Sequence, residues 1–274
     1  MGITEFITNH EIVIRLGFFL GILGVMTLWE WVAPRRVLAI SKPLRWSNNI
    51  GIVIINSFLL RIIFPSAAVG MAVFAKKHGW GLFNHMHLSY TVAVIISVVA
   101  MDFFIYLQHV MFHAVPVFWR IHRMHHADLD FDVSTGIRFH PIEILLSMLI
   151  KFAGIVVMGT PLLSIIIFEV ALNATSMFNH GNVRMFYGID RILRWFVVTP
   201  DMHRVHHSAE KHETNSNFGF NLPWWDYLLG TYRNQPRMGH EGMVIGLHDF
   251  RDKKRCVMLP GMLAIPFQGI KYSD

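Results

Sequence analysis

The chain has 274 residues, 53% of them hydrophobic and only 15% charged, with a mean hydropathy of +0.43. That balance excludes a single soluble domain of this length and points to a polytopic membrane protein. The formal charge of +6 does not signal a nucleic-acid partner, because the basic residues flank apolar runs as the positive-inside rule expects. The single cysteine, Cys256, excludes an intrachain disulfide framework and an all-cysteine iron–sulfur cluster.

Residues 1–11 contain no Lys or Arg, so they lack the basic start of a cleaved signal peptide, and the first span is expected to be retained. That span is predicted over residues 12–33, ending at Pro34, with Gly17 and Gly21 four apart on a close-packing face. A basic connection follows with Arg35, Arg36, Lys42 and Arg45. Span two is predicted over residues 50–75, kinked at Pro65, with an intramembrane Arg61 that pairs or snorkels. After a short loop, span three runs over residues 90–109 and delivers His109 and His113. Residues 114–139 read as a histidine-rich loop carrying His122, His125 and His126 with Asp128, Asp130 and Asp132. The aspartates offset charge, cap or lie in solvent, the last two readings being preferred for Asp130 and Asp132.

His140-Pro141-Ile142-Glu143 opens the next helix. Proline suits its first turn, and Glu143 suits the positive end of its dipole. Residues 144–158 and 162–176 form two slightly short apolar arms around the turn Gly159-Thr160-Pro161. This hairpin brings Asn179 and His180 back to the starting side. Residues 181–274 are polar and basic, with twelve of the 24 Lys and Arg residues, and carry His203, His206 and His207. Within them residues 191–196 mix aromatic and basic side chains, which suits a membrane surface. The expectation is an all-α polytopic membrane protein with four to five transmembrane helices. It divides into N-terminal helices at 1–88, a histidine-box region at 89–235 and a tail at 236–274.

Charge fixes the expected sidedness. With five spans, every Lys/Arg-rich segment falls on one side, the cytoplasmic side, and that side also receives all the histidine boxes as a metal-binding cap. Cys256 is expected there too and would report that orientation to an impermeant thiol reagent.

Imidazole is the commonest side-chain metal ligand. An HxxxH box followed by two HxxHH boxes places imidazoles three and four apart on helical faces. His10, His78, His85, His87, His240 and His248 lack that spacing and read as ordinary interfacial histidines, with His212 undecided. Eight box histidines exceed the three or four ligands of one zinc site and imply two metals, without choosing among iron, zinc and copper.

The segments HVMFH, HRMHH, RFHPIE, NHGN, HRVHH and NFGFNLPWWDYLLGTY together resemble the fatty acid hydroxylase/sterol desaturase superfamily of integral membrane proteins. The match covers residues 94–267, and the stretch 239–250 looks like its bacterial branch. The resemblance implies a non-haem di-iron enzyme of a bacterial inner membrane that uses dioxygen to hydroxylate or desaturate a lipid. Zinc would replace iron on overexpression. By motif His109, His113, His122, His125, His126, His203, His206 and His207 match the metal boxes, and His180 matches an additional histidine. Ser176 stands where some relatives have another histidine, which leaves a ligand to water or Asn179. His140 and Asp102 are further ligand or supporting residues. A flavin or nicotinamide turn and an iron–sulfur motif are missing from the sequence, so electrons are expected from a separate ferredoxin or cytochrome with its reductase. Two rivals use the same histidines: a membrane metal transporter, and a zinc-dependent membrane hydrolase needing about three ligands.

Overall fold

The computed structural model describes residues 6–269 apart from residue 8, so residues 1–5 of the stretch without basic residues and residues 270–274 of the tail lie outside the described residues. The chain is helical, and among the described residues only isolated β-bridges occur. Helix α1 is Glu11–Val32, α2 is Lys42–Ile63, α3 is Ala67–Lys77, α4 is Tyr90–Ala114, α5 is Pro116–His126, α6 is Pro141–Met158 and α7 is Leu162–Asn179. The short helices α8 (Tyr187–Leu193) and α9 (Pro200–His206) follow. Among the described residues five segments are long and apolar enough to cross a membrane: α1, α2 continued through α3, α4, α6 and α7. Exposed apolar side chains along α1, such as Ile12, Leu16, Leu20 and Leu28, suit contact with lipid.

Two boundaries differ from the sequence expectation. The second span begins at Lys42, eight residues early, because Arg45 and Asn49 are fully buried in the cap rather than in a solvated loop. Pro65 breaks the helix outright: it lacks an N–H to continue the ladder, and α3 restarts at Ala67. The segment read as a loop after α4 is also mostly ordered helix. Pro116 starts α5, and a 3₁₀ turn, Val133–Ile137, is capped by Asp132, whose side chain accepts from Ser134 N–H.

The α6–α7 hairpin forms as expected. His140 caps α6 by accepting from Ile142 N–H, Pro141 follows, and Gly159 ends the helix in the left-handed region at φ 67°. Gly81 packs directly on the Gly159 backbone, where any Cβ would clash. The apolar core between α3, α4, α6 and α7 holds Ala68, Met101, Ile155, Ile165 and Phe168.

The three aspartates of the cap are not solvated. Arg45, 0% exposed, donates to Asp128 Oδ1 at 3.1 Å and Oδ2 at 2.7 Å, to Thr135 Oγ1 at 3.0 Å, and to Asp132. Burial pushes the Asp128 carboxyl up. Arg45, Arg138 and Thr135 more than offset this and hold it below its ordinary value. Asp130 accepts from the Ala39 and Ile40 N–H groups at 3.0 and 2.7 Å. Arg138 ties the tail down, donating to Met124 O at 3.1 Å and Cys256 O at 2.5 Å. Cys256 is itself fully buried, with Sγ 3.2 Å from Phe250 O and its thiol pushed up to about 11 by burial. An impermeant reagent therefore cannot use it as a reporter of sidedness.

Candidate metal centre

Nine imidazoles meet where α4 and α7 end at the cap, and they sort into two groups. His109, His113, His122, His126 and His206 form one, and His125, His180, His203 and His207 the other. Within each group one nitrogen per residue lies within 4.8 Å of all the others. Neither HxxHH box stays together. On α5, His122 and His126 are one turn apart and face the first group, while His125 points to the second. On α9 and its cap, His203 and His207 serve the second group and His206 the first. The groups touch: the rings of His126 and His207 stack with centroids 4.5 Å apart.

The hydrogen bonds fix the tautomers. Nδ1 of His109 lies 2.8 Å from Phe218 O, that of His125 3.1 Å from Arg138 O, that of His180 2.8 Å from Ser176 O and that of His206 2.7 Å from Ser216 O. A carbonyl only accepts, so each Nδ1 carries the proton and each Nε2 presents a lone pair. His122 Nδ1 meets the Glu143 carboxylate at 2.7 Å, with the same result. The Nε2 atoms of His125 and His180 then face each other at 3.2 Å with no proton between them. Such lone pairs repel unless a cation lies between, and nitrogens bound to one metal at about 2.1 Å stand about 3.0–3.4 Å apart. His113–His126, His122–His126 and His180–His203 repeat the spacing at 3.1, 3.2 and 3.1 Å. His109 Nε2, His206 Nε2 and both nitrogens of His207 are buried without any hydrogen-bond partner among the described residues. These residues fit metal ions.

Burial pushes the imidazoles of His125, His126, His203, His206 and His207 well below their ordinary value, and His180 down to about 3. All six are neutral at pH 7, the form that binds metals. His113 is the one member of either group that is not fully buried.

The other residues singled out in the sequence lie outside both groups. Asp102 accepts from the Asn221 and Leu222 N–H groups and from the Trp225 indole at 2.8 Å. His140 caps α6 and its Nε2 lies 3.3 Å from Leu263 O. Asn179 donates to Phe220 O at 3.0 Å, and its Oδ1 is buried without a partner among the described residues. Ser176 supplies a backbone acceptor to His180 and donates its hydroxyl to Gly136 O at 2.6 Å. Gly136 has no room for a Cβ against Ser176 and His180, so glycine lets the 3₁₀ turn approach α7 there.

Three supporting residues were not legible as such. Glu143 read as a helix-dipole partner, yet it holds His122. Asp226 accepts from the Phe218 and Gly219 N–H groups at 2.8 Å each and from Thr231, which aims the Phe218 carbonyl at His109. Asn217, at φ 52°, bridges Met202 O and Arg233 O at 2.9 and 2.8 Å beside the Ser216 carbonyl. Ser216 and the segment NFGFNLPWWD that follows it are thus the outer wall that orients His206 and His109. Its motif was visible in the sequence, but nothing in it says which carbonyl meets which ring.

A profile of the fatty acid hydroxylase family matches residues 94–231, which contain all nine histidines. The chain belongs to the fatty acid hydroxylase family. It is 34% identical over 146 residues to an ornithine lipid hydroxylase from Rhizobium tropici, covering 53% of this chain and 43% of that protein. To alkylglycerol monooxygenases it is 22% identical over 222 residues in Xenopus tropicalis (78% and 45% coverage) and 30% over 148 residues in Homo sapiens (53% and 31%). The chain spans less than half the length of these curated relatives. No solved structure matches it. With its five membrane-crossing segments, this fatty acid hydroxylase family member is an integral membrane protein.

Proposed function

We propose that the protein is a membrane lipid hydroxylase or desaturase in which His109, His113, His122, His126 and His206 hold one iron and His125, His180, His203 and His207 a second. The observation that carries this reading is the set of facing, unprotonated Nε2 atoms in two adjoining groups. A bound iron pair supplies the activation of dioxygen, so that hydroxylation runs as R–H + O₂ + 2e⁻ + 2H⁺ → R–OH + H₂O. The chain supplies position and exclusion. Carbonyls and Glu143 hold the rings and their tautomers, as is usual behind metal-bound histidines. The membrane side of the centre is floored by a cavity of about 490 Å³ whose wall includes Ile105, Ile144, Met148 and Leu172, a surface that admits an alkyl chain and disfavours water. Relatives named for lipid hydroxylation support a lipid substrate. A transport role is disfavoured, because the histidines cluster at one end of the helices instead of lining a path. A mononuclear zinc hydrolase leaves one whole group without a use.

Electrons come from an external ferredoxin or cytochrome that meets the basic cap on the cytoplasmic face of a bacterial inner membrane. The test reconstitutes the protein with membrane lipids, dioxygen and a ferredoxin–reductase pair. Product has to depend on both oxygen and reductant, and conversion under nitrogen without a donor rules the reaction out.

Sidedness is tested at His248, whose side chain is 64% exposed. An impermeant maleimide is expected to miss a His248→Cys thiol in intact cells and to label it in inverted membranes. Labelling in intact cells reverses the orientation.

Glu143→Ala leaves the His122 Nδ1–H without its acceptor and is expected to weaken metal retention about 10- to 100-fold, the usual cost of losing such a partner. Competition with a chelator measures it, and wild-type retention would remove Glu143 from the site.

A further inference from the structure

The cavity under the histidines runs between α1, α2, α4, α6 and α7. Its roof includes Glu143, Ser176 and Phe220, and its other end carries Arg15, Arg61, Lys151 and Glu169, from α1, α2, α6 and α7 respectively. Lys151 lies eight residues beyond Glu143 on α6, and Glu169 seven residues from Ser176 on α7, so the charged end is about 10–12 Å below the roof at about 1.5 Å per residue. These charges are inside the span, where each ionised side chain needs a partner.

Most of them have one. Arg15 pairs with Glu11 at 3.0 Å and with Glu169, and Lys151 Nζ donates to Glu169 Oε1 at 2.5 Å. Two carboxylates therefore serve two cations. Arg61 is the third cation, and it makes no hydrogen bond or ion pair with any described residue. A guanidinium stays protonated, so Arg61 cannot shed its charge. The segment does not end there: beyond the break at Pro65, α3 carries it eleven residues further, about 16 Å. The last carbonyls of α2 offer it only the partial charge of a helix end. Among the described residues one cation, the exposed Arg61 on the cavity wall, is left without an anion.

We propose that this end of the cavity binds the single anionic group of a long-chain amphiphile, a carboxylate or a phosphodiester, with Arg61 as its counter-ion. The Arg15–Glu169–Lys151 cluster forms the polar floor beside it, and the alkyl chain runs up the apolar wall to the histidines. A guanidinium fork matches either anion in two parallel hydrogen bonds. This rests on the hydroxylase reading above and adds the chemical class of the substrate and its direction in the cavity. At about 1.2 Å per bond of extended chain, about ten bonds separate the anionic group from the carbon beneath the roof.

Binding is measured on the purified full chain in detergent, without turnover. Tritiated hexadecanoate is competed with unlabelled hexadecanoate, with methyl hexadecanoate and with a palmitoyl lysophosphatidylglycerol. The wild type is expected to prefer one or both anions over the uncharged ester by about tenfold or more, and the tighter of the two identifies the anionic group. Arg61→Gln is expected to lose that preference while still binding the ester, which shows that it is folded, and Arg61→Lys, which keeps the charge but not the fork, to keep part of it. His206→Ala is expected to keep it in full, because the anion site does not need the metal. Equal binding of anions and ester by the wild type overturns the proposal, as does an undiminished preference in Arg61→Gln. If lipid oxidation fails in the wild type while the preference stands, the reaction is wrong and the anion site is not.

Discussion

His206→Ala protein is expected to carry less iron than the two atoms per chain proposed for the wild type, and to lose oxygen-dependent lipid product by on the order of 100-fold or more. The magnitude follows from the supporting residues of such sites, whose loss alone typically costs 10- to 100-fold. His206 belongs to the first group, so the second group keeps its four imidazoles. His125→Ala strikes the other group and is expected to spare the first iron. His248→Ala, on an exposed side chain outside both groups, serves as the control and leaves metal and product unchanged. Plasma emission on protein made in iron-replete medium reads the stoichiometry. Overexpression can load zinc instead, because zinc binds nitrogen ligands more tightly than ferrous iron, so both metals are counted. Full metal content in both the His206 and His125 variants would end the two-group assignment.

Arg45→Ala is the largest expected loss of stability. It strands two carboxylates, Asp128 and Asp132, whose side chains are 0% exposed, and removing one partner of a buried ion pair typically costs about 3–5 kcal/mol. For a chain of this size that lowers the midpoint of thermal unfolding by roughly 10 °C. Metal retention should fall as well, because the same network holds the 3₁₀ turn whose Gly136 packs against His180. Arg35→Ala removes partly exposed pairs with Asp201 and Glu241 and is expected to cost about 1 kcal/mol or less. Thermal unfolding in detergent compares the two variants, and equal shifts would show that the buried network is not what holds the cap.

Much of this protein is decided locally and was legible. Apolar runs of the right length become α1, α4 and the α6–α7 hairpin, because a helix satisfies its own backbone inside a bilayer. Pro65, Gly159 and Pro141 mark a break, a stop and a start through their own backbone chemistry. The histidine boxes have the spacing of metal ligands, and the joined motifs give the family.

What only the tertiary structure decides is partition and pairing. His122, His125 and His126 are neighbours in sequence, but helical geometry places His125 about 100° from His126, and which group each enters depends on where α7 and α9 pack. Asp132 caps its turn as one of its sequence readings had it, but nothing local reveals that Arg45, more than eighty residues earlier, will bury it together with Asp128. Glu143 looks like a first-turn acid, and its role exists only because α6 packs on α5. Lys151, Glu169, Arg15 and Glu11 become a neutral cluster, and Arg61 an unmatched charge, only when the helices close around one cavity. Spacing along a chain fixes what one helix presents. The contacts between helices fix what each side chain meets.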